Sequence, residues 1–129
     1  LASASIEQYL DEGLVSARTL TDYLFDRMEA HGLKRADVVR ASGLNATVVY
    51  DIFSGKSRPG RDHAIMLAFG LKCTLRETQR LLRLAGVSEL WCKQRRDAII
   101  IWCIRNGFDR IATDDELYRM GEATLLPAD

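Results

Sequence analysis

The sequence predicts an all-α protein built around a helix-turn-helix unit, and three observations carry that reading. Apolar residues recur at three- and four-residue spacing along most of the chain, the period of helices with one buried face. No stretch shows the long two-residue alternation of a half-buried strand. The only two prolines, Pro59 and Pro127, fall between or after the periodic segments.

Composition sets the frame. The chain has 129 residues, a net charge of zero, 47% hydrophobic and 28% charged residues. These values suit one domain with a modest core. The longest apolar run, 98–104, has seven residues. That is far below the length needed to span a bilayer, so no membrane contact is expected. No basic-then-apolar leader opens the chain. Three cysteines, Cys73, Cys92 and Cys103, stand at irregular spacing. An odd number without pairing suits buried thiols in a reducing cytoplasm. A neutral protein is not a general binder of polyanions, so any nucleic-acid contact must be local.

The elements follow in order. Residues 5–12 read as a short leading helix, with Ile6, Tyr9 and Leu10 inward and Gly13 ending it. Thr19 or Thr21 is a cap for the next helix, whose stripe is Leu20, Tyr23, Leu24 and Met28, closed by His31 and Gly32. Residues 33–59 follow as two short helices joined by a tight turn. Val38 and Val39 face inward in the first. Gly43 supplies the left-handed residue at its end, and Leu44 fills the angle between the helices. Asn45 caps the second, in which Val48, Val49, Ile52 and Phe53 form the inward face. Gly55 and Pro59 close it. A helix over 61–71 buries Ile65, Ala68 and Phe69. Thr74, with Glu77 three residues later, forms a capping box for a helix whose face is Leu75, Thr78, Leu81, Leu82 and Ala85, ended by Gly86.

The remaining residues predict two more helices. Residues 90–106 read as one long helix, basic at its start through Lys93, Arg95 and Arg96, and apolar on every side from 98 to 104. A helix of that kind must be buried all round. It is expected to complete the core over the first helix, or to supply a dimer interface through Ile100, Trp102 and Ile104. The last helix is placed at 113–120, with Thr113 as cap and Asp114, Asp115 and Glu116 at its positive end. The expected organisation is an N-terminal helical extension over 1–18, a helix-turn-helix unit over 19–86, and a C-terminal extension over 87–129.

The helix-turn-helix unit is the smallest common device for placing a helix in the DNA major groove. Its outward face is expected to read bases through Asn45, Ala46, Thr47, Tyr50 and Asp51. Ala46 and the Thr47 methyl suit a thymine methyl, the Thr47 hydroxyl serves several bases, and Asp51 accepts from a cytosine amino group. Tyr50 reaches a phosphate or sugar. Around it stand Lys34, Arg35, Arg40, Lys56, Arg58 and Arg61 against Asp37 and Asp51, a local charge of +4 in a neutral chain. These six bases are the expected phosphate contacts.

Leu33, Val38, Val39, Gly43, Leu44, Val48, Val49, Ile52, Gly55, Lys56, Pro59, Leu67, Ala68 and Leu71 together resemble the XRE family of helix-turn-helix regulators, the phage Cro and lambda-repressor type. The resemblance covers about half the chain. It implies a five-helix lambda-repressor-like domain, here extended at both ends, and a homodimeric DNA-binding transcriptional regulator of bacterial type. Arg35 stands where the family usually has a Gln that braces a phosphate and the recognition helix. Phe53 replaces its usual acidic residue. The run Arg96-Asp97-Ala98-Ile99-Ile100-Ile101 resembles the tail of some bacterial members.

Other chemistry finds no support. Gly55-Lys56-Ser57 is not a phosphate loop, because Tyr50 stands where a glycine is required. Asn45-Ala46-Thr47 is a cap and its helix start, not a glycosylation site. His31, His63 and the three cysteines have no paired metal spacing. Asp114, Asp115 and Glu116 lack the alternation of a calcium loop. Neither metal nor cofactor is expected, nor an enzyme. The competing function is a protein-interaction adaptor on the same fold, with Tyr50 as its anchor.

Overall fold

The structure, a computed structural model, describes residues 5–127, and of residues 8–19 the backbone alone. Among the described residues it has seven helices and no strand. They are α1 (Ile6–Ala30), α2 (Arg35–Ser42), α3 (Ala46–Phe53), α4 (Arg61–Gly70), α5 (Leu75–Leu84), α6 (Arg95–Arg105) and α7 (Arg110–Arg119).

The N-terminal reading is corrected first. One helix replaces the two expected, and it runs through Gly13 and Thr21 without a break. A glycine inside a helix costs about 1 kcal/mol relative to alanine, too little to end a helix of 25 residues held by packing at its far end. Ile6 is not inward but 72% exposed. The side chains of Tyr9, Leu10 and Thr19 lie outside the described residues. A boundary after residue 18 therefore falls inside α1.

The next four helices form where the pattern places them. Leu20 and Leu24 of α1 are buried, with Tyr23 and Met28 packed at the margin. Thr74 caps α5 by accepting from the Glu77 N–H at 3.2 Å, while the Glu77 carboxylate accepts from the Thr74 N–H at 2.9 Å. Each bond satisfies a donor that a helix start would otherwise leave open. α1 lies against α3 and α5, and α4 against α2 and α5. The α2–α4 crossing is close because Gly70 has no side chain. A Cβ there would stand 2.8 Å from the Val38 carbonyl oxygen.

The C-terminal elements need two corrections. α6 starts at Arg95, not at 90. The Gln94 side chain caps it by accepting from the Asp97 N–H at 2.7 Å. The preceding segment is held as a loop: Gln79 donates to the Leu90 carbonyl at 2.8 Å and accepts from the Leu90 N–H at 2.7 Å. α7 starts at Arg110, not at 113, with Asp109 accepting from the Ala112 N–H at 2.8 Å. Thr113 is interior, its hydroxyl donating to the Asp109 carbonyl at 2.8 Å. Asp114 is buried in mid-helix. It pairs with Arg110 at 2.6 Å and accepts the Leu125 and Leu126 N–H groups.

These changes redefine the apolar segment. Ile100 is fully buried in the main core and is unavailable to a dimer interface. Ile104 is half-buried against the same core. Trp102 is 52% exposed, so α6 is not buried on every side. Its ring stands edge-on to Phe108 at 5.2 Å. α6 packs chiefly on α7 and α5 rather than over α1.

Candidate nucleic-acid interface

The interface is built on the α2–α3 corner. Gly43 takes φ of 81°, a left-handed conformation at which a side chain would be strained. Its N–H donates to the Val39 carbonyl, which closes α2. Leu44 is buried in the angle, and its N–H donates to the Ser42 hydroxyl at 3.2 Å. Asn45 starts α3, its Oδ1 accepting from the Val48 N–H at 2.9 Å. Val49, Ile52 and Phe53 are buried beneath, and Phe53 meets Phe25 edge-on at 5.1 Å. One face of α3 is thereby anchored and the other turned outward.

The outward face carries Ala46, Thr47, Tyr50 and Ser54 exposed, with Asp51 half-buried. Tyr50 is 44% exposed. The Arg35 guanidinium lies over its ring, 5.1 Å from the centroid. This cation–π contact ties the first turn of α2 to the middle of α3. Arg35 therefore braces the outward helix by stacking. Asn45 stands at the edge of this face, with its Oδ1 engaged as the cap.

The six bases differ in freedom. Lys34, Arg35, Arg40, Lys56 and Arg58 are exposed around the corner. Asp37 accepts from the Lys34 N–H at 2.9 Å and pairs with Arg40 at 2.5 Å. The Lys34 backbone bond foremost, then the nearby charges, holds the Asp37 carboxyl below the usual carboxylate range. It stays ionised at the start of α2, where a negative charge is favourable. Arg58 donates to the Leu84 carbonyl at 3.1 Å, which fixes it beside the end of α5.

Arg61 is half-buried and fully engaged. It makes a two-pronged ion pair with Asp97 at 2.6 and 3.0 Å and donates to the Ser88 and Glu89 carbonyls. Next to it, Asp62 receives Arg96 through two bonds of 3.0 Å. The Arg-Asp dipeptide that opens α4 thus meets the Arg-Asp dipeptide of α6 in a reciprocal clasp. The repeated dipeptide was the sequence signal for it. Burial pushes the Asp97 carboxyl up, but the bonds from Arg61 and the Trp91 N–H outweigh it and leave the carboxyl below its ordinary range.

A second tie reaches the corner itself. Arg110, buried at the start of α7, lies against Gly43, where a Cβ would stand 2.6 Å from its Nε. α7 therefore rests on the turn between α2 and α3. A side chain there would also have to displace the Arg110 side chain, in addition to the strain of the backbone angle.

No protein-family model, curated protein or solved structure matches the chain. No helix among the described residues is long and apolar enough to cross a membrane.

Proposed function

We propose that the chain is a sequence-specific DNA-binding transcriptional regulator of the XRE type, acting in the cytoplasm. The observation that carries this reading is the anchored α3, whose outward face stands among Lys34, Arg35, Arg40, Lys56 and Arg58. Ala46 and Thr47, in its first turn, are small and exposed, which suits close approach to base edges. Tyr50, stacked on Arg35, serves a sugar or phosphate at the groove edge. The surrounding bases neutralise phosphates and set the register without reading sequence. Arg61 has no part in this scheme, because Asp97 and the Ser88 and Glu89 carbonyls engage its guanidinium.

Binding measured against salt concentration tests the assignment. Lys56→Ala with Arg58→Ala is expected to weaken binding to all sequences alike and to lower the log–log salt slope by about two units. Thr47→Ala is expected to relax preference at one base position and leave the slope unchanged. A slope unmoved by the double substitution contradicts the phosphate role.

The half-exposed Tyr50 favours one other reading, a protein-interaction adaptor in which this ring fills a partner's pocket. Binding of such a partner would be lost with Tyr50→Ala and would respond little to salt.

A further inference from the structure

A cleft lies where the turn after α4 meets α2 and the turn between α6 and α7. Its wall is Ala41 of α2, Phe69 of α4, Ile104 of α6 and Phe108 of the second turn, all half-buried. Its volume is about 280 Å³. At about 30 Å³ for each water-sized group, that is room for about nine non-hydrogen atoms. Lys72 and Asp109 complete the lining. Both are exposed, so two charges stand at the rim of an apolar interior.

Lys72 is held in an uncommon backbone conformation. Its φ of 57° is left-handed, and every other described residue with such an angle is glycine. The turn itself is an ordinary helix ending. The Lys72 N–H donates to the Phe69 carbonyl at 3.0 Å and the Cys73 N–H to the Ala68 carbonyl at 2.9 Å. Glycine would close it without strain. A lysine there lowers stability, and among the described residues its ammonium has no ion-pair partner to offset that. Asp37, in the neighbouring cleft, is already engaged by Arg40 and the Lys34 N–H. Asp109 lines the same cleft as Lys72, yet the two form no ion pair. One Asp109 oxygen accepts from the Ala112 N–H at 2.8 Å, which leaves the other for a donor from outside. A positive and a negative group thus flank one apolar hollow.

We propose that this cleft binds a free α-amino acid with a large apolar side chain. The Lys72 ammonium takes its carboxylate and Asp109 its ammonium, while the side chain fills the space among Phe69, Ile104 and Phe108. Leucine is of that size. A simple carboxylic acid would face the Asp109 charge and a simple amine the Lys72 charge, so the rim selects a molecule carrying both signs. The strained lysine is then explained by the charge it holds at the rim.

Isothermal titration of the full chain with leucine, without DNA, tests this whether or not α3 reads DNA. One molecule is expected to bind per chain at millimolar concentration or below, and leucine should raise the melting temperature. Glycine, isocaproate and isoamylamine lack the side chain, the amine and the carboxylate respectively. Each should bind about tenfold more weakly or worse. Lys72→Met and Asp109→Asn should each lower the affinity for leucine by about tenfold or more. Asparagine keeps the α7 cap, and circular dichroism verifies that each variant is folded. Lys72→Gly removes the strain, so without leucine it should melt about 3 °C above the wild type, and leucine should add nothing. No binding of leucine, methionine or phenylalanine at about ten millimolar overturns the proposal. So does an affinity unmoved by either substitution, isocaproate binding as tightly as leucine, or a Lys72→Gly protein less stable than the wild type.

Discussion

Asp97→Ala is the substitution whose consequence the structure specifies most closely. Asp97 is 4% exposed and accepts two bonds from Arg61 and one from the Trp91 N–H. Removing one partner of a buried ion pair costs about 3–5 kcal/mol, because the other charge stays behind unpaired. Arg61 keeps about a quarter of its side chain in water and two carbonyl partners, which argues for the low end. The lost bond from Trp91 adds about 1 kcal/mol. A loss of about 3–4 kcal/mol is expected, near 10 °C or somewhat more in Tm for a chain of this size. Urea and thermal unfolding followed by circular dichroism give the value. Replacing both partners, Arg61→Met with Asp97→Leu, should recover much of it. A single-variant loss under about 1 kcal/mol refutes the view that the clasp fixes α6 to α4.

Four further outcomes follow from the same contacts. Asp97 titrates below its ordinary range when folded, so its stabilising contribution is full above the unfolded carboxylate pKa of about 3.9 and fades as pH falls through the lower folded value. The acid limb of the wild-type stability curve should accordingly flatten in Asp97→Asn, and an unchanged limb argues against this. Gly43→Ala should cost about 2 kcal/mol or more in urea unfolding, from the left-handed backbone and from displacement of Arg110; a neutral result contradicts the close approach of α7. Asn45→Ala should cost about 1 kcal/mol by the same measurement through loss of the α3 cap, and no loss would mean that the cap adds nothing. Cys73 is half-buried, with desolvation pushing its thiol up to about 12, whereas Cys92 is exposed. Alkylation of the native protein, mapped by mass spectrometry, should therefore mark Cys92 long before Cys73, and equal rates contradict the packing.

The sequence makes local signals legible and distant partners much less so. Thr74 with Glu77, and Asn45 before an apolar helix, announce helix starts because their bonds lie within one turn. The inward face of Val49, Ile52 and Phe53 follows from period alone. Gly13 misleads because its small local cost is overridden along a long helix. Asp114 to Glu116 mislead because acids favour helix starts, yet Asp114 is held by Arg110 and by the backbone of residues 125 and 126. Residues 90–94 have helical composition but are bound to Gln79 and Asp97, contacts that no local pattern encodes. Of the candidate site, Asn45, Ala46, Thr47 and Tyr50 and five of the six bases are exposed, while Asp51 is half-buried. Arg61 is diverted by Asp97, thirty-six residues away. Arg35 is repositioned by a ring contact with Tyr50 that spacing does not reveal.

Binding of the intact protein to genomic DNA fragments, its own upstream region among them, at two salt concentrations bears most directly on the regulator reading. Tight, site-selective binding that weakens steeply with salt is the predicted result. Absence of binding even at low salt contradicts it.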